Sequence, residues 1–127
     1  MLSTKSFIKT ILQLDSVVIE GTQEGVDKEG FQCLVVNLRP HARMLNRCPH
    51  CNAKCPRSDG DAPKPHRWRA RDWGRSRVYL EYANPRIVCP THGEVMAAVP
   101  WASDPESNFT SAFEKHAAQF PEVMKLM

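Results

Sequence analysis

Two short stretches hold the residues best suited to chemistry. Cys48-Pro49-His50-Cys51-Asn52 and Cys89-Pro90-Thr91-His92-Gly93 are two copies of one local form. Each reads cysteine, proline, a spacer, a second soft ligand, and then a residue that tolerates positive φ. Two ligands separated by two residues can converge on one ion in a tight turn whose amides point at the sulfur. The fifth position needs a left-handed backbone, which glycine supplies and asparagine tolerates. Two such turns, each at a hairpin tip, offer three thiolates and an imidazole, a tetrahedral set suited to structural zinc. A lone C-x-x-C is a weak signal. Two matched turns with 37 residues between them, Asn52 to Val88, are a strong one. The candidate zinc ligands are therefore Cys48, Cys51, Cys89 and His92. Cys55, four residues beyond Cys51, and His66 remain open as substitutes, whereas His50 is expected to point outward. Four protein ligands leave no position for a catalytic water, so the ion's expected role is folding. Loss of Cys48 or Cys89 should then remove both zinc and fold. Cys33 lies inside an apolar run and reads as a small buried side chain.

Charge is the second signal. The 127-residue chain has a net charge of only +3, yet the segment Arg39 to Arg86 holds twelve Lys and Arg against four acids, a net of +8. Most of those cations are arginine, the side chain suited to phosphate and base-edge recognition. A basic middle between acidic flanks points to a polyanion-binding surface. Five arginines around one predicted hairpin, Arg67, Arg69, Arg71, Arg75 and Arg77, are the candidate DNA-contacting residues. Trp68 and Trp73 read as packing residues before stacking platforms.

These residues need elements to hold them. Apolar positions 7, 8, 11, 12 and 14 predict an N-terminal helix over about residues 4–14. Strands are predicted near 16–22 and 31–39, joined by a turn-rich polar segment. Residues 52–65, with Pro56, Gly60, Pro63 and Pro65, read as a loop. Alternation over 67–73 places Arg67, Arg69, Arg71 and Trp73 on one strand face, and a turn at 74–76 leads to a strand with Val78, Leu80 and Tyr82 facing inward. Short strands follow at 86–88 and 94–99. A helix is expected from Phe109 to Phe120, with Ser111 and Glu114 as a capping box if it starts late. The expected class is α+β, a small zinc-ribbon-like β domain with helical ends. Its parts are a helix and hairpin over 1–46, the zinc-binding domain over 47–102, and a linker with an incomplete helical segment over 103–127. No apolar run approaches the ~18–20 residues of a membrane helix, and the N-terminus lacks a signal-peptide pattern. The default expectation is cytoplasmic, with reduced thiols.

The ordered motifs C-P-H-C, R-W-R-A-R-D-W-G, R-V-Y-L-E-Y, P-R-I-V-C-P-T-H-G, V-P-W-A and S-N-F-T-S-A-F-E resemble the amino-terminal zinc-binding region of ISL-three family transposases. The resemblance covers residues 15–127. It implies that Cys48, Cys51, Cys89 and His92 match the family's zinc-ligand positions. It also implies that residues 109–120 match the start of a helix-turn-helix, and that the target is duplex DNA at transposon ends. Family members continue into a catalytic DDE domain, and no carboxylate trio can be carried over here, so no catalytic residue is assigned. A second reading is a protein-interaction module that dimerises or docks on a transposase or nuclease through Phe109, Phe113, Phe120 and nearby methionines.

Overall fold

The computed structural model describes residues 5, 8–10 and 14–119. Strands run over Val17–Val26 (β1), Gln32–Pro40 (β2), His66–Trp73 (β3), Ser76–Tyr82 (β4), Arg86–Cys89 (β5) and Gly93–Met96 (β6), followed by a helix over Ser111–Gln119 (α1). β1 and β2 form an antiparallel hairpin. Its turn is fixed by the Asp27 carboxylate, which accepts the backbone N–H groups of Glu29 and Phe31, both at 3.0 Å. β3 and β4 form a second hairpin, and the two join in one four-stranded sheet of order β1-β2-β4-β3. The joining pair, β2 with β4, is parallel, with Leu34 opposite Val78 and Val36 opposite Leu80. A parallel pair needs a long crossover, and residues 41–75, carrying the first cysteine turn, supply it.

The period of two in each strand decides which face is buried. Val17, Ile19, Val36, Leu38, Trp68, Ala70, Val78 and Leu80 line one face and pack with Ile8, Leu14, Val99, Trp101 and Ala102 as the main core. Trp68 is fully buried and meets Trp101 edge to face at 5.2 Å. Tyr82 packs at the rim. β5 and β6 form a separate two-stranded sheet. It has its own small core of Cys48, Cys55, Ile87, Cys89 and Ala97, with Val95 against it. The arginine-bearing strands therefore leave the zinc lobe and belong to the larger sheet.

Several local expectations are revised. The register slips between Ala70 and Trp73, so Trp73 lies opposite Ser76. Ser76 shares its face with Val78 and Leu80, so this bulge moves Trp73 off the face of Arg67 and Arg69. The last strand ends at Met96. α1 is capped by Thr110, whose hydroxyl accepts the Phe113 N–H at 3.1 Å. The Ser111 hydroxyl instead accepts the Ser103 N–H at 2.9 Å. Phe113 and Ala117 are buried, and Phe109 stacks on Phe113 at 5.2 Å. Phe113 thus faces into this chain; Phe120 and the methionines that the docking reading also invokes lie outside the described residues. Of the expected N-terminal helix, residues 5 and 8–10 are helical and Ile8 is buried; Phe7, Ile11 and Leu12 lie outside the described residues. Among the described residues no helix is long and apolar enough to cross a membrane.

Candidate metal centre and basic surfaces

The first cysteine turn is a hairpin tip closed by backbone bonds. Arg47 pairs with Lys54, the Cys48 N–H donates to the Ala53 carbonyl at 2.9 Å, and the Asn52 N–H donates to the Cys48 carbonyl at 2.8 Å. The second turn is the tip of the β5–β6 hairpin, where Cys89 pairs with Gly93. Asn52 has φ 62° and Gly93 has φ 75°, the left-handed backbone that the motif requires at both fifth positions.

The two tips bring four ligand atoms together. One ligand atom each from Cys48, Cys51, Cys89 and His92 lies within 4.8 Å of all the others. His92 Nδ1 is 3.5 Å from the sulfurs of Cys48 and Cys89, and the sulfurs of Cys51 and Cys89 are 3.6 Å apart. Bond lengths of about 2.3 Å to sulfur and about 2.0–2.1 Å to nitrogen imply tetrahedral edges of about 3.8 Å between sulfurs and about 3.6 Å between sulfur and nitrogen. These three separations match those edges within a few tenths of an ångström, and all four ligand atoms lie within 4.8 Å of one another, so the residues fit zinc. The His92 ring, together with the backbone amides of His92 and Thr91, holds the Cys89 thiol down to about 6, which favours the thiolate a metal takes. Cys55 is buried beside the cluster, and its thiol donates to the Ala53 carbonyl at 3.3 Å. Burial and the neighbouring thiols push it up, toward the neutral form. His50 is exposed, with its ring 5.0 Å from that of His92. His66 is committed elsewhere, with Nε2 3.0 Å from the Ser107 carbonyl and its ring against Trp68. Cys33 is buried in β2, opposite Gly25 and Arg77.

The five predicted arginines meet different surroundings. Arg77 is buried, and its guanidinium lies 3.3 Å from both Asp27 and Glu29 and stacks over the Phe31 ring at 3.8 Å. Tyr79 donates its hydroxyl to the same Asp27 carboxylate. Arg69 is half-buried, bonds Asp72 at 3.1 Å and faces the Phe113 ring. Its backbone also pairs with Asn108 and Thr110, which closes the outer edge of β3. Arg67 bonds Glu81 at 3.1 Å. Arg71 and Arg75 are exposed near the tip of the β3–β4 hairpin and have no ion pair among the described residues. The partners Asp27 and Glu29 lie about fifty positions away in sequence, where no local pattern points to them. A different set of cations surrounds the first cysteine turn: Arg43, Arg47, Lys54 and Arg57. The signal for these was present in the sequence, since residues 39–58 contain no acid.

Comparison with known proteins agrees with this geometry. Residues 45–92, which include all four clustered ligands, match the family described as zinc-finger of transposase IS204/IS1001/IS1096/IS1165. Over 112 residues the chain is 37% identical to the transposase for insertion sequence element IS1557 of Mycobacterium tuberculosis, in strain CDC 1551 / Oshkosh and in strain ATCC 25618 / H37Rv. The match covers 87% of this chain and 25% of each relative, so the chain spans about a quarter of the length of the curated relatives it matches. No solved structure matches. Residues 45–92 are thus similar to the zinc-finger segment of this transposase family, and the chain that carries them resembles the zinc-ribbon region of a transposase.

Proposed function

We propose that this chain is a non-catalytic, zinc-stabilised module that binds duplex DNA such as transposon ends. One zinc ion would be held by three thiolates, Cys48, Cys51 and Cys89, and by His92 through Nδ1. The ion supplies no chemistry here beyond tying two hairpin tips together, because its four positions are filled by protein. The observation that carries the reading is the pairing of that closed site with uncompensated cations in a region akin to a transposase. Of the five predicted arginines, Arg71 and Arg75 remain the DNA-contacting candidates on β3–β4. Arg67 is half committed to Glu81. Arg77 serves the fold, since a cation neutralised by a buried carboxylate has little left for phosphate, and Arg69 is half-buried against the Phe113 ring and bonded to Asp72.

The three-part division of the chain is proposed in altered form. The two hairpins of 17–40 and 66–82 act as one sheet, and the zinc lobe of about 46–58 and 86–97 is appended to it.

The test is a duplex-DNA titration of the zinc-loaded chain at several salt concentrations. Neutralising several phosphates should make log affinity fall linearly with log salt, by about 0.9 per phosphate contacted. Undetectable affinity at low salt, or affinity indifferent to salt, would sink the reading.

A further inference from the structure

We infer that the metal-bearing turn is itself a phosphate-binding surface, formed by Arg43, Arg47, Lys54 and Arg57. This rests on the DNA-binding reading above and changes where the duplex backbone would lie.

The argument is a contrast in what neutralises each cation. On the large sheet, Arg67, Arg69 and Arg77 each end on a carboxylate at 3.1–3.3 Å. Around the cysteine turn the acceptors are neutral. Arg47 reaches the Asn52 carbonyl at 3.2 Å and the Arg43 carbonyl at 3.4 Å. Arg57 reaches the Asn46 side-chain oxygen at 3.3 Å, and Arg43 reaches the Ser16 hydroxyl at 3.4 Å. Among the described residues none of the four has a carboxylate partner. A carbonyl orients a guanidinium without cancelling its charge, so these groups are aimed yet still positive. Zinc with three thiolates and a neutral imidazole carries one negative charge. The four cations against that charge leave the turn at +3.

Three of the four come from one small rigid unit, and Arg43 lies just before it, joined through its carbonyl to Arg47. Arg47 and Lys54 are paired across the turn, the Cys55 N–H donates to the Asn46 carbonyl at 2.8 Å, and Arg57 is bridged to Ile87 of β5. Metal binding fixes the same backbone that displays the cations. Phosphate binding at this surface should therefore require the metal, whereas contacts from the β3–β4 hairpin tip need not. Contacts of this kind set register and affinity but carry no sequence information.

The experiment measures the salt slope of duplex-DNA binding for the zinc-loaded chain and two charge-matched double variants. Lys54→Gln/Arg57→Gln removes two exposed cations of the turn. Lys28→Gln/Arg67→Gln removes one cation in the β1–β2 turn and one on β3, both outside the cysteine turn. The inference expects the first pair to lower the slope by about two and the second to lower it by less than half of that. Zinc content is read on every variant, and Lys54→Gln alone, at a residue with no side-chain partner among the described residues, should lower the slope by about one. Equal changes in both doubles, or an unchanged slope in the turn variants of a chain that does bind with salt dependence, would overturn the inference and leave the DNA reading standing. A wild-type chain with no salt-dependent binding would overturn both.

Discussion

Removing the metal should undo one part of this molecule and spare the other. The zinc lobe buries five residues, three of them cysteines, so its carbon-only packing is Ile87, Ala97 and the half-buried Val95. At about 1.5–3 kcal/mol for a fully buried large aliphatic side chain, about half that for Val95 and about 0.8 kcal/mol for the alanine methyl, those contribute about 3–5 kcal/mol. A structural zinc ion contributes about 10–16 kcal/mol, so the metal is the larger share of what holds the lobe. The four-stranded sheet has thirteen buried residues of its own, including Trp68 and Trp101. Amide exchange in the presence and absence of a strong chelator distinguishes the two. With metal, the amides of Cys48, Asn52, Cys55, Val88 and Ala97, each in a backbone hydrogen bond, should be protected. With the chelator they should exchange as in an unfolded chain, while β2 and β4 keep their protection. This narrows the expectation that metal loss removes the whole fold. Protection lost equally from Val36 or Leu80 would show a single cooperative unit and refute the two-core reasoning, as would a lobe that stays protected without metal.

Acid should act through Asp27. Burial works to raise its carboxyl, but the Phe31 amide, the Tyr79 hydroxyl, the Glu29 amide and the Arg77 guanidinium together hold it below the ordinary 3.8. A carboxyl depressed in the folded state adds stability above its unfolded value, and that stability is lost as pH falls through the folded value. The denaturation midpoint of Asp27→Asn should therefore lie below wild type at neutral pH, with the gap closing below about pH 4; a gap independent of pH would contradict this. At the outer edge of β3, Thr110→Ala leaves the Phe113 N–H at the start of α1 without its acceptor. It should lower stability by about 1 kcal/mol in chemical denaturation, with Thr110→Ser largely restoring it; an unchanged midpoint for the alanine variant would remove Thr110 as the cap.

What the sequence made legible was local. The two cysteine turns and their left-handed fifth residues follow from spacing alone, because four or five consecutive residues determine that geometry. The inward alternation of Val78 and Leu80 is a period-two statement, and both are fully buried. What escaped was non-local. The parallel pairing of β2 with β4 depends on a crossover that no short window contains. Arg77 looked like its neighbours in a basic run, yet its partners enter from the β1–β2 turn. Strict alternation also put Trp73 beside Arg69, and one inserted bulge residue changed its face. The charge balance pointed to the right class of surface, but which cations stay uncompensated is a property of the folded neighbours.

The central claim is the ligand set, and metal stoichiometry measured on purified single-site variants tests it most directly. Wild type, Cys33→Ser and Cys55→Ser should each retain one zinc per chain, and Cys48→Ser, Cys51→Ser, Cys89→Ser and His92→Ala should lose stoichiometric binding. A Cys89→Ser variant that keeps its zinc, or a Cys55→Ser variant that loses it, would contradict the account.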